Sequence, residues 1–189
     1  ILLSSSNGKC LRFPVEKLRL FSGLNSSGVR GIKLDKGNTI ISLAILKHSV
    51  IDMNIRQEYL RAASDSRKET SSLKYGFEEL NKNEEFLLAI TSKGFGKRSS
   101  AYEYRKTKRG GQGIINIETS DRNGGVVASF PVRDDEEVIL VTNKGKLIRL
   151  PVNGVRIAGR VTQGVTLLNT EKMERVVSVT VVKNNLETS

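Results

Sequence analysis

Val138-Ile139-Leu140-Val141-Thr142-Asn143-Lys144-Gly145-Lys146-Leu147-Ile148-Arg149 reads as two β-rich runs folded back on each other at a glycine. Both runs carry the β-branched and large apolar residues that suit a half-buried pleated surface, and Gly145 supplies the positive φ of a tight hairpin. The same phrase occurs twice more. It runs from Ile1-Leu2-Leu3 through Asn7-Gly8-Lys9-Cys10-Leu11-Arg12, and from Leu87-Leu88-Ala89-Ile90 through Lys93-Gly94-Phe95-Gly96-Lys97-Arg98. A second motif follows each hairpin: Ser27-Gly28-Val29, Gln112-Gly113-Ile114 and Gln163-Gly164-Val165, whose glycines lie 20, 19 and 19 residues beyond the hairpin glycine. A third apolar run closes each unit, at Thr39-Ile40-Ile41-Ser42-Leu43, Val126-Val127-Ala128-Ser129-Phe130 and Val176-Val177-Ser178-Val179.

The unit is thus four short strands in about 50 residues, and the second and third hairpin glycines stand 51 residues apart. That period is typical of radially arranged blades. The fold class expected is all-β, a partial array of propeller-like blades of four antiparallel strands, with repeats at about 1–48, 84–133 and 134–182. An ordinary β-sandwich is the competing architecture, and the matching glycine offsets weigh against it. One blade cannot cover its own apolar faces, so further repeats are expected before Ile1, which itself reads as the inside of a strand. The polar end, from Lys183 to Ser189, is expected to fray.

The first hairpin interval is 86 residues, 35 more than the period allows. The surplus falls at about 49–83, where β-branched residues are few and Arg, Lys, Glu and Ala are many. Ile55, Tyr59 and Ala62 or Ala63 recur at helical spacing, with Asp52 or Asn54 placed to cap. One or two inserted helices are expected, packing as a polar amphipathic element on the outside of the fold.

Thirty-one Lys and Arg against 20 Asp and Glu give a net charge of +11, which favours a polyanionic partner through counterion release. The cations recur at matching places. Lys9 and Arg12, Lys97 and Arg98, and Lys146 and Arg149 follow the hairpin glycines, and Arg30, Arg109 and Arg160 flank the second motif. In a radial array such positions fall along one rim, where they would build a curved positive track for the phosphates of a bent duplex. The densest cluster is Arg105-Lys106-Thr107-Lys108-Arg109 before Gly110-Gly111-Gln112-Gly113, a loop whose backbone allows close approach to a phosphate. It lacks the spacing and the following helix of a nucleotide-binding loop.

Cys10 is the only cysteine and His48 the only histidine, so neither a disulfide framework nor a structural zinc site is expected. No nucleophile-and-base set is evident. Tyr59, Tyr75, Tyr102 and Tyr104 are not accompanied by a cluster of acidic metal ligands, so the chain is expected to be non-catalytic. No stretch has the roughly 18 apolar residues of a membrane span, and no leader pattern opens the chain; a cytoplasmic location is expected.

Asn7-Gly8-Lys9, Gly28-Val29-Arg30-Gly31-Ile32, Gly94-Phe95-Gly96-Lys97-Arg98, Arg122-Asn123-Gly124 and Gly159-Arg160-Val161-Thr162-Gln163-Gly164-Val165 together resemble the last repeats of the C-terminal domain of the DNA gyrase A protein. The resemblance implies a β-pinwheel whose basic rim wraps double-stranded DNA. It also implies partners in the rest of the gyrase A protein and in the gyrase B protein, as an A2B2 complex near the bacterial nucleoid. ATP and Mg would serve other domains of that enzyme, with no cofactor in this region, and the wrap would support negative supercoiling. The family's basic-glycine box belongs to its first blade; Lys108-Arg109-Gly110-Gly111-Gln112-Gly113 resembles it at a later one. The matching domain of topoisomerase IV is the nearest alternative, and a protein-interaction propeller the alternative from another class.

Overall fold

A computed structural model describes residues 1–23, 25–47, 50–69 and 76–183. His48, Tyr75 and the chain from position 184 lie outside the described residues. Each hairpin phrase forms an antiparallel pair: β1 (Leu2–Ser5) with β2 (Lys9–Arg12), β4 (Phe86–Thr91) with β5 (Phe95–Ser100), and β8 (Glu137–Thr142) with β9 (Leu147–Pro151). The third run of each unit adds a strand beside the first: β3 (Ile40–Ala44) on β1, β7 (Val126–Val132) on β4, and β11 (Val176–Val182) on β8. These three-stranded units agree with the sequence reading.

The fourth strand does not come from the same repeat. The second motif of repeat 2, β6 (Ile114–Ile115), pairs with β2 of repeat 1, and that of repeat 3, β10 (Val165–Thr166), pairs with β5 of repeat 2. Each four-stranded sheet is completed by the following repeat, in the orders β3-β1-β2-β6 and β10-β5-β4-β7, and the third sheet is β11-β8-β9. The contiguous four-strand unit read from the sequence is corrected accordingly. Glycine is what permits the exchange. Gly113 and Gly164 hold φ of +79°, and a Cβ there would stand 2.5 Å from the Cys10 carbonyl oxygen and 2.7 Å from that of Gly96, inside contact distance.

The middle unit is walled on both sides. All but the first residue of β4 and of β5 are buried, whereas β8 buries Val138, Leu140 and Thr142 in strict alternation, as a one-faced strand does. Leu88, Ile90, Val138, Leu140, Val152, Val155 and Leu168 fill one inter-blade core. Leu2, Cys10, Leu87, Ala101 and Tyr104 fill the other. A polar chain crosses that second junction: Ser4 Oγ donates to Ser129 Oγ, Asn116 Nδ2 also donates to Ser129 Oγ, and Tyr104 OH donates to Asn116 Oδ1 at 2.6 Å.

Repeat 1 departs from the others in its second motif. Ile32 packs on Leu11 and Phe13 of its own blade, and the Lys33 N–H donates to the Gly111 carbonyl at 2.8 Å, so the segment flanks the loop of repeat 2.

Between β3 and β4 the insertion forms α1 (Met53–Glu69) and α2 (Glu78–Lys82). Asp52 Oδ1 accepts the Asn54 N–H at 2.8 Å, the cap that starts α1. Of the apolar stripe, Tyr59 and Ala63 are buried while Ile55 stays half exposed. Tyr59 meets Tyr102 edge to face at 5.5 Å, and its hydroxyl donates to Glu84 Oε2 at 2.8 Å. That contact docks α1 on the 3-10 turn at Ala101–Glu103. Among the described residues no helix is long and apolar enough to cross a membrane.

Candidate nucleic-acid interface

After β2, β5 and β9 the chain makes the same 3-10 turn: Val15–Lys17, Ala101–Glu103 and Val152–Gly154. A loop then carries it out and across to the second motif. These three loops, 14–32, 101–113 and 152–164, hold net charges of +2, +3 and +2, so most of the chain's positive excess sits in about a quarter of its length. Counted from each turn, Arg19, Arg105 and Arg156 occupy one equivalent position, and all three are exposed. Arg19 and Arg156 escaped the sequence reading because it counted from glycines; counting from Pro14, Ser100 and Pro151 aligns them.

Two other repeated arginines act as staples. Four residues past the hairpin glycine, Arg12 donates through Nη1 to the Ala101 and Tyr104 carbonyls at 3.1 and 3.2 Å and through Nη2 to Lys47 O at 3.0 Å. Arg98, at the same place in repeat 2, donates through Nε to Val155 O at 2.8 Å and through Nη2 to Asn153 O at 3.1 Å, and pairs with Asp134. Each fixes the turn of the next repeat. Four residues before the second glycine, Arg109 Nη1 donates to Arg30 O at 3.2 Å and Arg160 Nη1 to Ile115 O at 2.8 Å, again the same contact one repeat on. Arg109 Nε also holds Lys17 O at 3.1 Å, which gathers the loops of repeats 1 and 2 into one surface.

The predicted cations therefore divide by burial and partner. Lys97 is fully buried and Arg98 only 5% exposed, so both are withdrawn from any interface, a correction to the sequence reading. Counted from the hairpin glycine, Lys97 is in register with Leu11 and Ile148, not with Lys9 and Lys146. Arg12 is half-buried and gives three of its five N–H groups to carbonyls. Lys9 pairs with Asp35 at 2.9 Å, Lys146 with the buried Glu174 at 3.1 Å, and Arg149 with Glu137. The Glu174 carboxyl is held at about 2, chiefly by the Glu171 N–H, against its burial and with help from Thr142 and Lys146. Arg30, Arg105, Lys106, Lys108 and Arg109 lie exposed. Arg160 is half-buried. Arg105 and Lys108 form no ion pair among the described residues.

Lys97 Nζ donates to Gly159 O at 2.5 Å inside the 2/3 junction. Burial is the main reason its pKa falls to about 7; Glu103 opposes the fall and Arg160 adds to it. Glu103, whose Oε2 accepts the Arg160 N–H at 2.8 Å, is itself raised by burial. Because folded Lys97 binds fewer protons than unfolded Lys97 between about pH 7 and 10.5, stability should rise with pH across that window. Lys97→Met, which matches its apolar equivalents, should flatten that rise when melting temperature is followed from about pH 6.5 to 9.5.

No group of three or more His, Cys, Asp or Glu side chains is placed to hold a metal ion among the described residues. The loops offer exposed cations, several of them on turns held by the buried arginines.

Residues 1–47, 85–133 and 136–183 match the family model described as the DNA gyrase C-terminal domain, beta-propeller. The chain is 44% identical over 200 residues to the DNA gyrase A protein of Rickettsia prowazekii and 45% identical over 206 residues to that of Granulibacter bethesdensis. These alignments take in 99% and 95% of the chain but 22% of each relative, so the chain spans about a fifth of their length. The solved C-terminal domain of DNA topoisomerase IV superposes with a TM-score of 0.69 at 21% identity, over 96% of this chain and 46% of that one. A DNA gyrase A C-terminal domain gives 0.65 at 22%, over 95% and 49%. The two superpositions agree on the fold, and the family match, which covers every repeat and skips the insertion, decides the assignment: the chain belongs to the DNA gyrase C-terminal domain family of β-propellers.

Proposed function

We propose that this chain binds double-stranded DNA along the loops that carry Arg19, Arg105 and Arg156, and bends it as the wrapping region of a DNA gyrase A protein. The observation that carries the reading is their equivalence. Three exposed arginines stand at one position of three successive repeats, and the loops of Arg105 and Arg156 start from turns held by Arg12 and Arg98. A duplex following them meets cations at intervals set by the blade period, and its phosphates need no particular sequence. Bending then costs elastic energy that additional phosphate contacts offset, which favours deformable DNA. The buried arginines matter indirectly: they hold the loops still, so that less side-chain and backbone freedom is lost on binding.

In this reading the partners are duplex DNA, the remainder of the gyrase A protein and the gyrase B protein, in an A2B2 enzyme of the bacterial cytoplasm. ATP and Mg chemistry would reside in those other regions, and this chain would bias the direction of supercoiling. A duplex of about 40 base pairs labelled at both ends tests the central step. Energy transfer should rise as the chain is added at low salt and fall back as salt is raised. Tight binding with unchanged transfer would reject wrapping and keep DNA binding. No binding would favour the protein-interaction propeller.

A further inference from the structure

Beside the charged loop of repeat 2, a cleft of about 110 Å³ opens between α1 and the 1/2 junction. Arg12, Arg56 and Lys106 line it, together with Tyr102 and Tyr104. The three cations come from three elements: the end of β2, the first turn of α1 and the loop after the Ala101–Glu103 turn. Among the described residues no carboxylate lines the cleft. Glu79 and Glu85 line the adjoining larger cavity of about 400 Å³, and Arg12 lies on the wall the two share. The position of Arg56 is set by the helix itself. Asp52 caps α1 just before it, and Tyr59, one turn after it, is locked against Tyr102. Arg12 is equally fixed by its three carbonyls. Burial lowers the Arg12 pKa, Glu85 opposes that and the charge of Arg56 adds to it, as two guanidinium groups facing one space would do.

We propose that this cleft seats one backbone phosphate of duplex DNA, so that the insertion adds a contact to the DNA-binding surface instead of only covering the outside of the fold. The inference rests on the DNA-binding reading above. Its volume equals that of roughly four waters, the space of one phosphate with its oxygens. Donors from three directions suit a tetrahedral anion, and the three cations of Arg12, Arg56 and Lys106 give the cleft a positive excess that one phosphate partly offsets. Continuity decides between a duplex phosphate and a free one. Arg105 and Lys108 line a neighbouring cleft that shares Arg12 with this one, so a strand tracking those side chains passes the opening.

The test titrates the full 189-residue chain with a duplex of about 40 base pairs at several salt concentrations. Arg56→Gln should reduce the slope of log K against log salt by about 0.9, the loss of one phosphate contact, while Arg56→Lys keeps the wild-type slope. Arg61→Gln, an exposed change on the same helix outside the cleft, should leave it unaltered. Lys106→Gln is the second variant should Arg56→Gln melt early, and the same loss is expected of it. An unchanged slope in Arg56→Gln, with a flattened one in Arg105→Gln/Lys108→Gln, overturns the seat and keeps the DNA reading. Equal flattening by Arg61→Gln also overturns it, leaving only diffuse charge. A wild-type chain that binds no duplex overturns both. Calorimetry with inorganic phosphate separates the sources: Arg56-dependent phosphate binding with an unaltered duplex slope would make this a free-phosphate site and reject the duplex assignment.

Discussion

Arg98→Gln should lower stability by about 2–4 kcal/mol, the cost of leaving two carbonyls without their charged donor while Asp134 stays in solvent. For a chain of this size, at about 2–4 °C per kcal/mol, that is a fall in melting temperature on the order of 10 °C. The reason is local. Arg98 is almost wholly buried, and its loss leaves the Val155 and Asn153 carbonyls without the guanidinium that satisfies them in the 2/3 junction. It also frees the turn at Val152–Gly154, and Val152 with the following Val155 belongs to the inter-blade core. Arg149→Gln provides the contrast. Arg149 occupies the same position counted from its glycine, but it pairs with Glu137 at the surface with its side chain 55% exposed, so the cost should stay at or below about 1 kcal/mol. Thermal and urea unfolding of the two variants measure both. Comparable losses would refute the staple role assigned to Arg98.

Changing Arg105, Lys106, Lys108 and Arg156 together to Gln should weaken duplex binding by roughly three to four orders of magnitude at about 0.1 M salt. Four phosphate contacts each contribute about 0.9 to the slope, and at that salt each is worth nearly a factor of ten. Arg109 is left intact in this variant because it holds the Arg30 and Lys17 carbonyls, and its loss would confuse loop geometry with charge. All four changed residues are exposed, so unfolding should stay close to wild type. Filter or anisotropy titrations at fixed salt read the loss. Unaltered affinity would place the DNA contacts on some other face.

Much of the fold was legible because a hairpin announces itself locally. Gly8, Gly94 and Gly145 adopt the positive φ that their sequence context demands, and the flanking runs pair in simple register. The helical insertion was legible for the same reason, from Asp52, Tyr59 and Ala63. The strand exchange was not, because Ile114-Ile115 carries the same local pattern whichever sheet it joins; only the close approach of Gly113 to Cys10 O distinguishes the two.

The site was half legible. Charge density pointed to the loop at 105–109, which is exposed as a binding surface requires. Lys97-Arg98 misled because two adjacent cations look solvated, although register with Leu11 and Ile148 marked Lys97 as inward. The arginines at Arg12, Arg98, Arg109 and Arg160 repeat because the junctions repeat. Periodicity of charge alone could not separate a staple from a contact.

The most direct test of the central claim is the salt dependence of wild-type binding to a duplex of about 40 base pairs. With about six phosphate contacts along the loops of the three repeats, log K should fall against log salt with a slope near −5, and duplexes of unrelated sequence should compete almost equally. A slope close to zero, or strong preference for one sequence, would contradict a phosphate-tracking rim.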